Sequence, residues 1–174
     1  MTTFETIRHI EINENYQGIN LTEFSILTDN YIDNNQIIQT FIRSTNFSFD
    51  SLRDVIKYNS ENKPYLRRAF DIDRINISDF KKKSKEETST FLYDFINQSD
   101  WGDDRNEFAK LLDKYFEIHD RLGDNDFYII SKDWFDKGDE RVFELESLIY
   151  SYYFVIISVD RSLNLLTLTE WTYD

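Results

Sequence analysis

The chain has 174 residues, of which 33 are acidic and 20 basic, so its formal net charge is −13, and 17% of its residues are aromatic. Disordered chains are poor in aromatic side chains, so this composition predicts a folded protein, and the length predicts one globular domain over residues 1–174. The absence of cysteine excludes disulfides, thiolate metal ligands and cysteine nucleophiles.

The charge and the N-terminal sequence also bear on partners and location. A negative surface repels phosphate groups, which disfavours direct binding to nucleic acid or to anionic membranes. No basic stretch followed by an apolar run opens the sequence, so we expect no secretory signal. The longest apolar stretch, residues 148–159, is shorter than the roughly 20 residues of a membrane-spanning helix. We therefore expect a cytoplasmic protein.

The first third of the chain favours helices. Residues 4–12, FETIRHIEI, fit either a helix or a strand. Asp33 and Gln36 have the spacing of a capping box, which predicts a helix from about 34 to 44. Apolar residues over 52–56 indicate another short helix, and Pro64 is expected to open a helical turn.

Two more helices are predicted in the middle of the chain. Ser84 and Glu87 form the S-x-x-E signature that caps the start of a helix. The helix after it has a continuous apolar face at positions i, i+3, i+4, i+7 and i+8. These apolar residues are Phe108, Leu111, Leu112, Tyr115 and Phe116. Asp104 is predicted to cap the start of this second helix, and Gly123 to end it.

Strands are predicted in the remainder of the chain. Residues 126–131, DFYIIS, predict a strand, and RVFELES at 141–147 favours one because apolar and acidic residues alternate there. The segments IYSYYFVIIS and NLLTLTEWTY flank the turn VDRSL and predict a long hairpin. The order of elements predicts an α+β fold, in which N-terminal helices precede a C-terminal antiparallel sheet that ends in this hairpin.

Motifs for catalysis or metal binding are absent from the sequence. His119 falls on or beside the apolar face of its helix, which favours a packing role, and His9 has no distinctive spacing to a partner. The aspartate pairs at 71–73 and 124–126 lack the further ligands of a calcium loop. Only four glycines are present, and they form neither a phosphate-binding loop nor a nucleophile elbow. We expect no metal, no cofactor and no catalytic activity.

The negative charge is concentrated in residues 94–146, which carry 16 acidic and 7 basic side chains, whereas residues 1–93 carry 14 and 12. Trp101 and Trp134 lie in this segment, each with aspartates on both sides. One interpretation packs each tryptophan into the core from a loop. The other exposes part of each ring as an interface anchor, because binding hot spots favour tryptophan and complementary charge steers association.

Three stretches, WGDDRNEF, DWFDKGDE and YSYYFVIISVDRSLNLLTLTEWTYD, resemble the small, acidic, cysteine-free immunity proteins of bacterial contact-dependent toxin systems. The resemblance spans roughly the last 75 residues of the chain. It implies a stoichiometric inhibitor without catalytic activity. We expect such a protein to neutralise a basic, nuclease-type toxin by covering its cationic active site with an acidic surface. The charge pattern gives the candidate partner-binding residues as Trp101, Asp103, Asp104, Asp124, Asp126, Trp134, Asp136, Asp139, Glu140 and Glu144.

Three other functions fit the same sequence. A nucleic-acid mimic of the anti-restriction or anti-CRISPR type would use the same charge, and it predicts regularly spaced acids along one surface. A hydrolase would need a deep pocket that holds two carboxylates with divergent pKa values. A plain adaptor domain requires neither feature.

Overall fold

The structure, a computed structural model, describes residues 1–29, 31–48, 65–66, 69–98, 104–120, 126–142 and 152–173. In chain order the strands are β1 (Thr2–Glu14), β2 (Gln17–Thr28), β3 (Tyr65–Leu66), β4 (Phe70–Asp71), β5 (Lys81–Lys83), β6 (Asp126–Ser131), β7 (Tyr152–Asp160) and β8 (Leu165–Tyr173). The α-helices are α1 (Asn34–Ile42), α2 (Thr45–Ser48), α3 (Lys85–Gln98) and α4 (Arg105–His119). Six strands form one antiparallel sheet in the order β1-β2-β8-β7-β6-β5, and β3 pairs with β4 separately.

The N-terminus is a β-hairpin, so the predicted arrangement of N-terminal helices followed by a C-terminal sheet is wrong. Strands β1 and β2 pair from Thr2↔Thr28 to Glu14↔Gln17, and the helices lie between this hairpin and the C-terminal strands. A β-bulge shifts the register between Thr6 and Arg8. The bulge interrupts the two-residue alternation that marks a strand, and it leaves apolar residues at a helix-like spacing of three.

The predicted C-terminal hairpin is confirmed. Strands β7 and β8 pair along their full length, and the turn at 161–164 includes Asn164 with a positive φ of 48°. Every residue of β7 is buried, as a strand at the centre of a sheet requires when both of its faces are covered. Strand β6 matches the predicted range 126–131. Within RVFELES, Val142 forms an isolated bridge to Phe70, and residues 143–147 lie outside the described ranges.

Helices cover both faces of the sheet. On one face, α1 buries Phe41 against Phe4 of β1 and Phe24 of β2, with ring centroids 5.0 and 5.1 Å apart. On the other face, Phe154 of β7 stacks on Trp171 of β8 at 5.4 Å, in the cluster that also holds the apolar residues of α3 and α4. The sheet therefore lies between two helical layers, with a core on each side.

The three predicted helix starts agree with the structure. Asp33 and Gln36 form the capping box of α1, and Ser84 and Glu87 form the one that opens α3. Asp104 is the N-cap residue of α4, as predicted, although its side chain makes no capping hydrogen bond to the first turn. Helix α4 ends at His119, and Gly123 lies outside the described residues, as do 52–56 and Pro64. None of the helices in the described part of the chain combines the length and the apolarity that crossing a membrane requires.

Candidate functional site

Six of the ten predicted partner-binding residues can be located. They are Asp104, Asp126, Trp134, Asp136, Asp139 and Glu140. The other four fall outside the described ranges and are Trp101, Asp103, Asp124 and Glu144.

Trp134 is a half-buried residue at the end of a short 3-10 helix, Lys132–Trp134, and is held by contacts within the protein. Its ring packs edge to face with Phe91 of α3 at 6.1 Å, and the Nζ atom of Lys81 lies 3.7 Å from its ring centroid. The side chain therefore joins the core beneath α3 and α4, and a cation covers part of its remaining surface. These contacts match the interpretation in which this tryptophan packs into the core from a loop.

The carboxylates of the loop after Trp134 are largely used inside the protein. Arg141 donates hydrogen bonds to Asp139 and to Asp79 at 2.6 and 2.7 Å, and its guanidinium lies 4.6 Å from the Phe135 ring centroid. Hydrogen bonds from the Arg141 side chain and backbone lower the pKa of Asp139 to about 2. Glu140 forms an ion pair with Arg74. This loop is thereby fastened to the segment at 70–80.

Asp126 and Asp104 also have internal partners. Asp126 accepts hydrogen bonds from Lys82 at 2.7 Å and from Asn34 at 2.8 Å. Burial raises the pKa of Asp126, but these two hydrogen bonds outweigh it and leave the pKa below its ordinary value. Asp104 accepts a hydrogen bond from the Tyr173 hydroxyl, which raises the pKa of Tyr173. Of the six located residues, Asp136 alone has an exposed side chain without an ion pair or side-chain hydrogen bond in the described structure.

A second acidic surface lies on the outer side of α3 and α4, and its centre is an aromatic pair. The ring of Tyr93 on α3 stacks on that of Phe116 on α4, with centroids 5.0 Å apart and planes at 17°. Tyr93 is 53% exposed although its ring packs against that of Phe116. Phe116 ends the apolar face predicted for α4, but it is only half-buried.

Three carboxylates lie on the same side of α4 as Phe116. Asp113, Glu117 and Asp120 are all exposed, and their spacing places them on the side of the helix that carries Phe116, within about 100° of arc. Asp113 and Glu117 make no ion pair in the described part of the chain. Asp120 is 4.0 Å from the Nζ atom of Lys85.

The two lysines of α4 are directed away from this surface. Lys110 and Lys114 reach Glu14 of β1 at 3.6 and 2.5 Å, and the hydrogen bond from Lys114 is the main cause of the lowered pKa of Glu14. The outer side of the two helices is therefore left with an excess of negative charge. We name this surface the acidic helix face. It consists of Glu86, Tyr93, Asp113, Phe116, Glu117 and Asp120.

Sequence reasoning missed this face, although two signals for it were present. Asp113, Glu117 and Asp120 repeat at i, i+4 and i+7, and Phe116 stands at the edge of the apolar face of the same helix. The contact with Tyr93 crosses between two helices, so no spacing within one helix reveals it.

His119 lies directly beneath the acidic helix face and is fully buried. Its ring stacks on Phe127 of β6 at 5.1 Å and meets Phe116 edge to face at 5.5 Å. Neither ring nitrogen has a hydrogen-bond partner in the described structure, and the nearest carboxylate oxygen, of Asp120, is 3.8 Å from Nδ1. Burial lowers the pKa of His119 to about 4, so the ring is neutral at physiological pH. The predicted packing role is confirmed.

His9 has partners that its sequence neighbours did not reveal. Its Nδ1 atom is 2.8 Å from the Thr22 hydroxyl across the β1–β2 ladder, and its Nε2 atom is 3.3 Å from Glu11. The Thr22 hydroxyl, the His9 imidazole and the Glu11 carboxylate thus form a chain of polar contacts, as the groups around an activated nucleophile do. The side chains of His9 and Glu11 are about half or more exposed to water, so the arrangement lacks the water exclusion expected of a catalytic site.

A cavity of about 510 Å³ lies between β5 and the start of α3. Lys82, Lys83 and Lys85 line it together with Glu86, Glu87 and Asp126. The two charges are mixed there, and Ser84 and Glu87 already form the cap of α3. Among the described residues, no group of three histidine, aspartate or glutamate side chains is arranged to hold a metal ion.

Comparison of the chain with protein-family models, with curated proteins and with solved structures finds no match. The acidic helix face is therefore interpreted from its own chemistry.

Proposed function

We propose that the protein is a stoichiometric inhibitor that binds a basic, nuclease-type toxin, as an immunity protein of a bacterial toxin system does. The observation that carries the proposal is the acidic helix face. It combines a stacked aromatic pair with two carboxylates, Asp113 and Glu117, that make no ion pair with any described residue. Interfaces with strong hot spots use aromatic anchors in this way, with charged groups around them.

The inhibitor would act by occupying the groove in which the toxin grips phosphate. Such a groove is cationic, because it must neutralise the charge of a nucleic-acid backbone. Asp113 and Glu117 would steer the encounter, and Tyr93 would be buried at its centre. The bound protein would then block substrate both sterically and by its charge.

This proposal assigns the interface to the helices instead of the loop at 133–141. Asp139 and Glu140 would have to exchange Arg141 and Arg74 for cations of the partner. Asp113 and Glu117 have no ion pair to give up among the described residues. Association through the acidic helix face is therefore expected to be more favourable than association through the loop, because it breaks no ion pair seen among the described residues.

The test is an affinity purification of the tagged protein from its host at low salt, followed by identification of any basic protein that co-purifies. The captured protein should have a nuclease or other toxic activity that the inhibitor abolishes at a 1:1 ratio. The variant D113K/E117K should weaken this complex by at least about 10-fold, mainly through the association rate, and added salt should mask the loss.

The matched control is E5K/D73K, which makes the same change of net charge at two exposed acids outside the face. It should retain the affinity of the wild type to within about threefold. Equal losses in the two variants would show that only net charge matters. A wild-type protein that captures no basic partner would overturn the proposal.

A further inference from the structure

Strand β1 forms one edge of the six-stranded sheet, and its outer side is unpaired in the described part of the chain. The order of the strands begins with β1, and among the described strands β2 alone pairs with it. The opposite edge, β5, is a three-residue strand of lysines, and short edges that carry lysine resist pairing with another chain. Strand β1 is 13 residues long, and its stretch at 8–13 contains neither lysine nor proline, so this edge lacks such protection.

The direction of the backbone groups along β1 follows from the hydrogen bonds of β2. The N–H group of Ile26 donates to the carbonyl of Asn164 on the β8 side, at 2.7 Å, so every second residue of β2 bonds away from β1. The carbonyl of Phe4, which faces Ile26 across the ladder, accordingly points outward and accepts from the side chain of Asn46. Past the bulge, three residues of β1 likewise direct their N–H and C=O groups outward, and no described residue bonds to these groups. They are His9, Glu11 and Asn13.

The side chains at this open edge differ between the two faces of the sheet. His9 and Glu11 lie on one face, where both are exposed. Ile10 and Ile12 lie on the other face, where they are half-buried against the core beneath α3 and α4. A strand added at this edge would therefore meet a polar row on one face and an apolar row on the other.

A second copy of β1 can pair with this edge in a register that satisfies both rows. Residues whose backbone groups point outward must face each other, so the possible antiparallel registers differ in steps of two residues. In one register Ile10 faces Ile10 of the second copy, and each His9 faces a Glu11. The neighbouring registers place Glu11 opposite Glu11, which is repulsive, or opposite Ile7 in the bulge. The first register alone pairs imidazole with carboxylate twice.

We propose that the outer side of β1 binds a second copy of this chain, with the two β1 strands joined antiparallel over residues 8–12 and Ile10 at the two-fold axis. This inference is independent of the proposed function, because it uses the sheet edge and not the acidic helix face. The two pairs of His9 and Glu11 would exchange about four backbone hydrogen bonds. The paired segment is small beside the roughly 1,200–2,000 Å² of a stable interface, and each copy carries a charge of −13. The dimer is therefore weak, and added salt strengthens it.

The first test uses cysteine cross-linking, since the chain has no cysteine of its own. I10C places two thiols at the axis, where the Cα atoms of a facing pair without ladder hydrogen bonds are about 4.5 Å apart, within the range of a disulfide. I12C is the matched control, because it makes the same change on the same face but faces Arg8 of the second copy. With oxidised glutathione at about 0.3 M salt, I10C should form the cross-linked dimer at least about 10-fold faster than I12C on non-reducing gels.

The second test measures self-association by sedimentation equilibrium. H9E should weaken the dimer at least about fivefold relative to the wild type, because it places like charges opposite each other at two positions. H9E/E11H exchanges the two groups and should recover most of the affinity. T3E adds the same charge at an exposed position of β1 outside the paired segment, and it should stay within about twofold of the wild type.

Equal cross-linking rates of I10C and I12C would overturn the inference, as would a wild type that remains monomeric at about 0.5 mM. An H9E/E11H variant no better than H9E would contradict the assigned register. If circular dichroism shows that I10C does not fold, the sedimentation series decides by itself. The inhibitor proposal is tested separately by capture of a basic partner with D113K/E117K, so either proposal can fail while the other holds.

Discussion

Lowering the pH from neutral should destabilise the protein through His119. In the folded state this ring is fully buried among Tyr115, Phe116 and Phe127, and burial lowers its pKa to about 4. In the unfolded chain the ordinary value is about 6.5. The unfolded state therefore takes up a proton first as the pH falls, so stability is lost progressively from about pH 6.5 down to about pH 4.

The neighbouring charges act in opposite directions on this titration. Lys85 of α3 lowers the pKa of His119, whereas Asp120 on its own helix and Glu86 of α3 raise it. The contact from β6 is the apolar ring of Phe127. Burial is the largest cause, so the charges adjust the shift without reversing it.

The magnitude follows from the two pKa values. At pH 7.5 the ring is neutral in both states, while at pH 5 it is mostly protonated in the unfolded chain and mostly neutral in the folded one. The free energy of unfolding should therefore fall by about 2 kcal/mol between these pH values, and by about 3 kcal/mol once the pH is below 4. With an m-value of about 2 kcal/mol per molar urea, the first change moves the unfolding midpoint by about 1 M.

The assay is urea unfolding at about pH 7.5 and pH 5, followed by tryptophan fluorescence, for the wild type and for H119L. The variant lacks the titrating imidazole but places an apolar side chain among Tyr115, Phe116 and Phe127. At pH 7.5 its stability should be similar to that of the wild type, because the unpaired buried ring nitrogens are removed together with some packing. The wild type should lose about 2 kcal/mol more than H119L between the two pH values, and the carboxylates common to both cancel.

Equal losses in the two proteins would refute this reasoning, since the folded state would then bind the proton as readily as the unfolded one. If H119L does not fold, the ring of His119 can be titrated directly in the wild type by NMR. A measured pKa at or above 6.5 would contradict the burial argument in the same way.

Two further predictions concern contacts that hold the loops and the helix starts. The variant R141M should lower the free energy of unfolding in urea titrations, because Asp79, whose side chain is only 7% exposed, loses its guanidinium partner. In the same variant the pKa of Asp139, about 2 in the wild type, should rise in an NMR titration, because the side-chain hydrogen bond from Arg141 is the largest cause of its lowering. The variant S84A should cost about 1 kcal/mol by removing the hydroxyl that accepts from the Glu87 amide, whereas S84T should retain most of the stability.

The sequence predicts those parts of the fold in which the signal is local. Capping boxes bring residues three apart into contact, so Asp33, Ser84 and their partners marked helix starts correctly. The N-terminal hairpin was missed because the bulge after Thr6 places Phe4 and Ile10 on opposite faces of the sheet. A single irregularity of the ladder thus removed the periodicity on which the prediction depended.

The candidate site was harder to predict, because charge pairing depends on tertiary contacts. Arg141 stands two residues from Asp139, but its other partner, Asp79, is 62 residues away. Glu140 likewise depends on Arg74 of the distant segment. The composition therefore indicates which part of the chain is acidic, but it does not show which carboxylates form ion pairs within the protein. Because the carboxylates of the loop at 133–141 largely have internal partners, the expected interface lies at α4 instead of at this loop.

Asp113 and Glu117 of α4, which make no ion pair with a described residue, carry a cost in the free protein. Asp113 and Glu117 are like charges at i and i+4, an arrangement that destabilises a helix by about 0.2–0.5 kcal/mol. Lys110 and Lys114 are close enough in sequence to offset this repulsion, but both are directed to Glu14 of β1. A cation supplied by a partner would remove the repulsion on binding, so the same pair that weakens the isolated helix would strengthen the complex. The two lysines make the contact between α4 and β1, and Asp113 and Glu117 remain available to a basic protein.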